Sequence, residues 1–331
     1  MRNWSPFERI DAARGTTTPT FFEYNTLAAF EIFARAQVEL AIAEVGLGGR
    51  LDSTNILDAD VAVLCSVGLD HCDWLGDTLE QIGAEKAGIF RAGRPVVLGS
   101  TDMPQSVATA IDRLGADARW PQRDFRIERE PGGSQWTFHG RRWRFDQLPP
   151  PALAGPIQYA NAATALAALE ALAEGGTTRL QFDAVAARTG LASVALPGRL
   201  QVVAGAPEWI LDVAHNPAAA AVLAAALRAR RCGGRTLAVC GMLSDKDVAA
   251  VGAALAPQID AWVLAGIDEP RGLDAATLAQ RLPPTCRIAT QAVDVAAACA
   301  AARAQAHPQD RIVVFGSFHT VGPALQWLGL Y

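Results

Sequence analysis

The chain has 331 residues, half of them hydrophobic, and a formal net charge of −5 at pH 7. This length predicts about two domains, each with its own core, and the negative charge argues against a broad nucleic-acid-binding surface. No apolar stretch approaches the ~18 residues that a membrane-spanning helix needs, so we expect a cytoplasmic protein that binds neither nucleic acid nor membrane.

The pattern of the first 150 residues predicts two helices at the start. Short apolar runs that alternate with helical patterns follow them. Short continuous apolar runs are typical of buried parallel strands, and the alternating segment over 135–145 predicts an antiparallel hairpin appended to the parallel sheet. We predict helices over residues 7–13, 22–36, 79–90 and 103–114, and parallel strands over residues 40–45, 61–67 and 95–99.

The remainder predicts helices over residues 159–172 and 182–188 and then a domain boundary near 190–197. Beyond this boundary, strands and helices alternate regularly, which predicts repeated βαβ units and a second doubly wound sheet. The predicted strands are 209–213, 236–240, 262–265 and 312–315, and the predicted helices are 218–230, 248–256, 275–282 and 295–304.

Two residues able to hold a cation follow the strands predicted at 40–45 and 61–67. Glu44 enters the glycine-rich turn 46–50, and His71 follows the second strand. Ligands of open parallel sheets gather beyond the carboxyl ends of the strands, so both side chains are expected to face one crevice. By its chemistry alone, an imidazole favours manganese or zinc over magnesium.

Lys86 is one of only two lysines, beside Lys246, among 29 basic residues. Nearly all basic residues of this chain are arginine, so a lysine at this position indicates a need for an amine. Carbon dioxide can carboxylate an amine to a metal-binding anion. The alternative is an ordinary solvent-facing helix lysine.

The segment 211–217, LDVAHNP, ends a predicted strand and opens a helix, so its amide groups favour an anion. Asp212 is suited to accept hydrogen bonds from ribose hydroxyls, with His215 beside the nucleotide; the alternative for Asp212 and Asn216 is helix capping. Asn161 and Glu23 likewise have a structural alternative, as residues that stabilise the first turn of a helix. Nicotinamide binding is poorly supported, because no strand is followed by G-x-G-x-x-G.

Six segments of the chain carry a family resemblance: EVGLGGRLDSTN (44–55), DHCDWLG (70–76), EKAGIFR (85–91), LPGR (196–199), DVAHNP (212–217) and GSFHTVG (316–322). Together they resemble the bifunctional dihydrofolate synthase/folylpolyglutamate synthase family of the Mur ligase superfamily. The resemblance implies an α/β protein with a central ATPase domain over residues 1–195, whose P-loop-like parallel sheet is N-terminally incomplete. It also implies a Rossmann-like, doubly wound glutamate ligase domain over residues 196–331.

The resemblance further implies an ATP-dependent amide ligase that adds L-glutamate to dihydropteroate or folates through an acyl phosphate, with Mg²⁺ neutralising the phosphates. By the family's pattern, Glu44 and His71 are Mg²⁺ ligands and Lys86 is the carboxylated lysine. Asn161, Arg199 and Asp212 contact ATP, with His215 beside them. The pterin side is lined by Thr20, Phe21, Phe22, Glu23, Leu51, Asp52 and Ser53. Ser317 and His319 match a family motif without an assigned role.

One departure is large: the family's phosphate loop, G-T-N-G-K-G-S, is absent from these 331 residues. We therefore expect this chain alone to lack ligase activity, and the alternative is a non-catalytic nucleotide- or folate-binding remnant. A cell-wall Mur ligase that uses a nucleotide-sugar substrate is disfavoured, because the pterin-side segments fit the folate branch. The family's usual state predicts a monomer.

Overall fold

The structure, a computed structural model, describes residues 5–129, 133–176 and 178–330. The chain divides into two compact units, one formed by residues 1–150 and 160–189 and the other by residues 151–159 and 190–331. Each unit contains a parallel sheet with helices, which confirms the predicted α/β class. Within the described ranges, no helix combines the length and apolar character that crossing a membrane requires.

The first unit contains a three-stranded parallel sheet in the order β1-β2-β3. Its helices begin at local caps: Thr20 and Thr78 each accept a hydrogen bond from a backbone N–H of the first turn, and the side chains of Glu23 and Gln81 bond back. The elements are α1 (Pro6–Arg14), α2 (Phe21–Ala36), β1 (Ala62–Leu64), α3 (Cys72–Leu75), α4 (Leu79–Ala87), β2 (Pro95–Leu98), α5 (Gln105–Leu114) and β3 (Asp117–Arg119).

The strand predicted over residues 40–45 is wrong. Residues 38–44 are exposed and form no strand, and Ile42 is 86% exposed. Continuous apolar character predicts a buried strand only when neighbouring strands and helices cover it, and the described residues provide no such cover. The strand predicted over 61–67 is shorter than expected, because β1 is an edge strand and Val63 at its centre is exposed.

A separate antiparallel sheet follows in the same unit. The predicted hairpin is confirmed, but it belongs to a three-stranded sheet of its own and does not extend the parallel sheet. Two helices complete this part of the chain. The elements are β4 (Arg126–Arg129), β5 (Trp136–His139), β6 (Arg144–Leu148), α6 (Ile157–Gly175) and α7 (Ala184–Ser193).

Glu170 of α6 is buried and holds the turn between β5 and β6. Its carboxylate oxygens accept hydrogen bonds from the backbone N–H groups of Arg141 (3.1 Å), Arg142 (2.7 Å) and Trp143 (2.5 Å). The buried guanidinium of Arg119 donates to the same carboxylate over 3.3 Å. Because three N–H groups and a cation converge on it, one carboxylate fastens the helix to the hairpin.

The glycine-rich turn over residues 46–50 is held by another carboxylate. Asp52 accepts hydrogen bonds from the N–H groups of Gly46 and Leu47 at 3.0 Å each, and from the N–H (2.9 Å) and hydroxyl (2.7 Å) of Thr54. Partial burial raises the pKa of the Asp52 carboxyl, but these donors outweigh it and hold the pKa below its ordinary value of 3.8. The turn is therefore fixed before any ligand arrives.

The second unit contains a six-stranded sheet in the order β11-β10-β9-β12-β8-β7, parallel except for β7. Apolar clusters cover both of its faces, as a doubly wound sheet requires. The elements are β7 (Gln201–Val203), β8 (Glu208–Asp212), α8 (Pro217–Ala229), β9 (Thr236–Cys240), α9 (Val248–Leu255), β10 (Ala261–Ala265), α10 (Ala275–Arg281), β11 (Ile288–Ala292), α11 (Val295–Gln305), β12 (Arg311–Phe315) and α12 (Phe318–Trp327).

Replacing Glu170 with glutamine is expected to destabilise the first unit by about 3 kcal/mol, because it removes a buried charge that pairs with Arg119 and weakens the three backbone hydrogen bonds at the hairpin turn, although Glu174 still pairs with Arg119 at 2.6 Å. Urea denaturation measures the loss. Glu128→Gln is the matched control, since this glutamate lies on the neighbouring β4 but is largely exposed, and we expect a change within about 0.5 kcal/mol. Equal stability of Glu170→Gln and the wild type would refute the fastening role.

Asp52→Asn is expected to lower the melting temperature at pH 7 by about 2–4 °C, as loss of roughly 1 kcal/mol does in a unit of this size. Because the folded pKa of Asp52 lies below the unfolded value, its stabilisation is complete above the unfolded pKa and is lost as the pH falls through the folded pKa. The difference from the wild type should therefore narrow below about pH 4.

Thermal melting at a series of pH values checks this expectation. Asp60→Asn serves as control, because its carboxylate is exposed and forms only a 3.4 Å surface pair with Arg94. A melting difference for Asp52→Asn that is the same at pH 3 and pH 7 would contradict a stabilising carboxylate.

Candidate active site

Glu44 and Lys86 lie in one neighbourhood at the end of β1. Cys65 follows this strand directly, and the pKa of its thiol is raised by partial burial and next by the negative charge of Glu44, while the Lys86 ammonium lowers it. The acid and the amine that the sequence analysis singled out thus both act on the thiol that follows β1.

The position of Lys86 depends on how the glycine-rich turn approaches α4. A β-carbon on Gly49 would lie 2.8 Å from the carbonyl oxygen of Glu85 and 2.9 Å from that of Lys86, so only glycine permits the contact. The Arg50 N–H also donates to the Glu85 carbonyl over 2.9 Å, and the Arg50 guanidinium pairs with the Glu85 carboxylate at 2.9 Å. The two motifs that contain Glu44 and Lys86 are therefore packed against each other.

His71 sits at the start of α3 in a left-handed conformation with φ 53°. Its N–H donates to Asp70 over 2.9 Å, and its carbonyl accepts from Trp74 (3.0 Å) and Leu75 (3.1 Å). The imidazole is partly exposed, with Nε2 3.9 Å from the Asp70 carboxylate. A non-glycine residue held in this region of backbone space is typical of functional sites.

The donor set at Glu44 and His71 is compatible with a hard or borderline divalent ion such as Mg²⁺ or Mn²⁺. Across the ranges that the structure describes, three or more His, Cys, Asp or Glu side chains are nowhere clustered as a metal site. Glu44 and His71 would thus supply two ligands, with water and phosphate oxygens completing the shell. Their convergence on one ion stays a prediction.

Of the predicted pterin-side residues, Thr20 and Glu23 are engaged in capping α2. The Glu23 N–H donates to the Thr20 hydroxyl over 3.3 Å, and the Thr20 N–H donates to the Glu23 carboxylate over 2.6 Å. The backbone N–H of Thr20 holds the pKa of Glu23 below its ordinary value. The structural alternative for Glu23 is therefore confirmed.

The other pterin-side residues surround the glycine-rich turn. Phe22 packs on it so closely that a β-carbon on Gly46 would lie 2.7 Å from the Phe22 ring, and the Ser53 hydroxyl donates to Thr26 of α2 over 3.0 Å. Phe21 is largely exposed, as is Leu51 next to the turn. The Asp52 carboxylate accepts hydrogen bonds from the backbone N–H groups of the turn. Its contribution to a ligand site is therefore to position the turn.

Asp212 occupies the last position of β8 in the second unit. Its two oxygens accept from the N–H groups of Leu200 and Ala214, each over 2.8 Å, and Asn216 rather than Asp212 caps α8. Burial raises the pKa of the Asp212 carboxyl, opposed by these donors and by the charge of Arg199. The capping alternative is thus confirmed for Asn216 and wrong for Asp212.

Arg199 and His215 flank this carboxylate. The Arg199 guanidinium lies over the ring of Phe318, 5.5 Å from its centroid, and the His215 Nδ1 lies 2.9 Å from the carbonyl of Val213. Asn161 belongs to the other unit and lies in the second turn of α6, because the helix begins at Ile157 and not near residue 159. A capping role for Asn161 is therefore wrong.

The segment that follows β12 contains polar groups whose roles could not be predicted from the sequence. The Ser317 hydroxyl lies 3.1 Å from that of Thr320, which donates to the Gly241 carbonyl over 2.7 Å. The His319 ring pairs with Glu269 at 3.4 Å. Sequence reasoning missed Thr320, Glu269 and the partner ring of Phe318, although two of the three lie inside the GSFHTVG segment.

Lys246 is buried in the second unit. Its ammonium lies 3.5 Å from the Asp245 carboxylate, and Arg281 donates to the carbonyls of Ser244 (2.9 Å) and Lys246 (3.0 Å). Arg281 thus holds the loop that carries this lysine. The only clue in the sequence was the rarity of lysine.

Comparison with known proteins explains this arrangement. A family model described as Mur ligase, glutamate ligase domain, matches residues 198–318. The chain is 43% identical over 320 residues to the dihydrofolate synthase/folylpolyglutamate synthase of Escherichia coli K12, covering 97% of this chain and 72% of the relative. The corresponding Mycobacterium tuberculosis protein is 36% identical over 347 residues, covering 97% of this chain and 71% of the relative.

Solved structures agree. E. coli FolC in complex with DHPP and ADP superposes with a TM-score of 0.89 at 42% identity, covering 98% of this chain and 74% of that one. A bifunctional folylpolyglutamate synthase/dihydrofolate synthase with Mn, AMPPNP and L-glutamate bound gives a TM-score of 0.86 at 43% identity, covering 98% and 75%. The chain belongs to the dihydrofolate synthase/folylpolyglutamate synthase family of the Mur ligase superfamily.

Proposed function

We propose that the chain takes part in the ATP-dependent joining of L-glutamate to dihydropteroate, to folates or to both. The observation that carries the proposal is the 43% identity to the E. coli dihydrofolate synthase/folylpolyglutamate synthase over nearly the whole chain. Related structures hold L-glutamate, which is a substrate of this reaction, ADP, which is a product, AMPPNP, which is an analogue of ATP, and DHPP.

The reaction has two steps. A carboxylate oxygen of the folate substrate attacks the γ-phosphorus of ATP, which forms an acyl phosphate and releases ADP. The glutamate amine then attacks the acyl carbon, loses a proton, and expels inorganic phosphate as the amide bond forms. Both steps concentrate negative charge on phosphate oxygens, so the protein must supply cations and N–H donors.

In the first unit, Glu44 and His71 are the proposed ligands of a divalent ion, Mg²⁺ or Mn²⁺, which would supply charge neutralisation at the phosphates. The charges of Lys86 and Glu44 both act on the Cys65 thiol, and we propose that Lys86 is carboxylated. The residues assigned to the pterin side are Thr20, Phe21, Phe22, Glu23, Leu51, Asp52 and Ser53; the hydrogen bonds of Thr20, Glu23 and Asp52 support positioning roles for these three.

In the second unit, Asp212 and Arg199 are the proposed nucleotide contacts, with His215 beside them. Each Asp212 oxygen uses one lone pair for a backbone N–H and retains another for a ribose hydroxyl. The guanidinium of Arg199 is held by the Phe318 ring, which keeps its charge near the end of β8. Asn161, exposed on α6, is the proposed ATP contact from the first unit.

We assign residues 1–195 to the ATPase domain and 196–331 to the glutamate ligase domain, and we propose a cytoplasmic monomer.

A second candidate function is binding without catalysis. It is favoured by one observation: the 331 residues contain no G-x-x-x-x-G-K-S/T segment, the loop whose amides and lysine cradle the phosphates of ATP in P-loop enzymes. A chain with this composition could retain nucleotide or folate and still fail to transfer the γ-phosphate.

Glutamate-dependent ADP release separates the two candidates. We expect no turnover by the 331-residue chain and measurable turnover once a phosphate-loop segment of the E. coli relative is fused to it. In that fusion, Glu44→Gln or His71→Ala should lower kcat about a hundredfold or more, because a lost metal ligand removes charge neutralisation. Glu39→Gln, an exposed neighbour, is the control.

Turnover by the 331-residue chain alone would refute its inactivity. An unchanged kcat in both site variants of an active fusion would remove Glu44 and His71 from the metal site, without touching the proposed reaction.

Carboxylation of Lys86 predicts a carbamate carbon, distinct from that of the α-amino group, in the NMR spectrum of the chain in ¹³C-bicarbonate with MgCl₂ and ADP. Because the chain has only two lysines, assignment is direct. Lys86→Arg should abolish the signal, since guanidinium is not readily carboxylated, and Lys246→Arg should preserve it. Identical carbamate signals in the wild type and in Lys86→Arg would refute the modification, because the α-amino group gives the same signal in both.

A further inference from the structure

Three large apolar side chains are exposed on segments of the first unit that pack on the glycine-rich turn or follow it. Trp74 is 79% exposed, Phe21 86% and Leu51 78%. We call these three residues the apolar platform. Phe21 and Leu51 already belong to the proposed pterin side, whereas Trp74 has no role in the proposed function.

The platform residues are neighbours of the residues that pack on the turn. Phe22, next to Phe21, presses its ring on Gly46, and Leu75, next to Trp74, is so close that a β-carbon on Gly48 would lie 2.8 Å from its Cδ2. Leu51 follows the turn directly. The three segments that carry the platform residues therefore meet at one short turn.

The indole of Trp74 stands on a short but firmly held helix. The Trp74 N–H donates to the His71 carbonyl over 3.0 Å, and the helix ends at Gly76, which has φ 97° and packs on the Gln81 side chain. Gln81 in turn caps α4. The backbone that carries the exposed indole is thus fixed to the backbone of His71, the proposed metal ligand.

An exposed indole on a fixed backbone is suited to stack on a flat conjugated ligand, because a tryptophan offers a large apolar face at a low cost in side-chain entropy. We propose that Trp74 is a substrate-binding residue whose indole stacks on the aromatic pteroyl group of dihydropteroate or folate. This inference rests on the proposed function. It adds Trp74, from the DHCDWLG segment, to the proposed pterin-side residues 20–23 and 51–53.

The platform matches this occupant in chemistry. It is apolar, and two of its three side chains are aromatic. The pteroyl group is likewise flat and apolar over its rings, with a carboxylate at its far end. E. coli FolC, 42% identical, is the relative whose structure holds DHPP.

Isothermal titration of the 331-residue chain with dihydropteroate tests the inference without requiring turnover. We expect Trp74→Ala to weaken binding about tenfold and Trp74→Phe, which keeps an aromatic face, to weaken it less than about threefold. Val293→Ala is the matched control, because this side chain is 83% exposed but belongs to the second unit. The affinity of this variant for dihydropteroate should equal that of the wild type.

A second readout separates stacking from a structural effect. Dihydropteroate should quench tryptophan fluorescence in the wild type, and Trp74→Phe should retain binding but lose part of the quenching. Circular dichroism and the affinity for ADP should be unchanged in both variants.

Equal affinity of Trp74→Ala and the wild type would overturn the inference and leave the proposed function standing. Failure of the wild type to bind dihydropteroate and folate would overturn both. If sedimentation shows that Trp74→Ala abolishes self-association while its dihydropteroate affinity is unchanged, the platform is instead a contact between copies of the chain, and the inference is wrong.

Discussion

The candidate site of the first unit depends on the close approach of one turn to the end of one helix. Gly49 rests on the carbonyls of Glu85 and Lys86, and any side chain at this position would force them apart. The contact sets the relation between the segment that delivers Glu44 and the helix that carries Lys86. Asp52 completes it by binding the N–H groups of the turn from the other side. Glycine and aspartate here shape the site without being its reactive groups.

The sequence predicted helices better than it predicted which apolar runs pair as strands. Caps are local: Thr20 with Glu23, and Thr78 with Gln81, lie three residues apart, so their bonds can be inferred from the chain itself. Whether an apolar run becomes a strand depends on distant partners, and the run over 40–45 has none among the described residues. Glu170 was likewise unpredictable, because its donors at the hairpin turn lie about 30 residues away.

In the second unit, the alternation of apolar runs and helices predicted four strands and four helices correctly. The omitted elements lacked that signal: β11 is largely exposed, β7 is only three residues long, and α12 contains Pro323. Site residues at strand ends, such as Asp212, could be proposed because parallel strands end at one edge. Their bonding partners could not, since Leu200 and Phe318 reach the site only through the loops that the fold brings together.

The order of the strands in the second unit has a kinetic consequence. β12 lies between β8 and β9, and it meets β9 through residues 75 positions apart in the chain. No local hairpin or single βαβ step can bring these strands together. The pairing of β12 with β9 closes a long loop, so the centre of the sheet forms only after the entropic cost of that closure has been overcome. Until then β8 and β9 each have an open apolar edge, and the second unit is exposed to aggregation for as long as β12 is not in place.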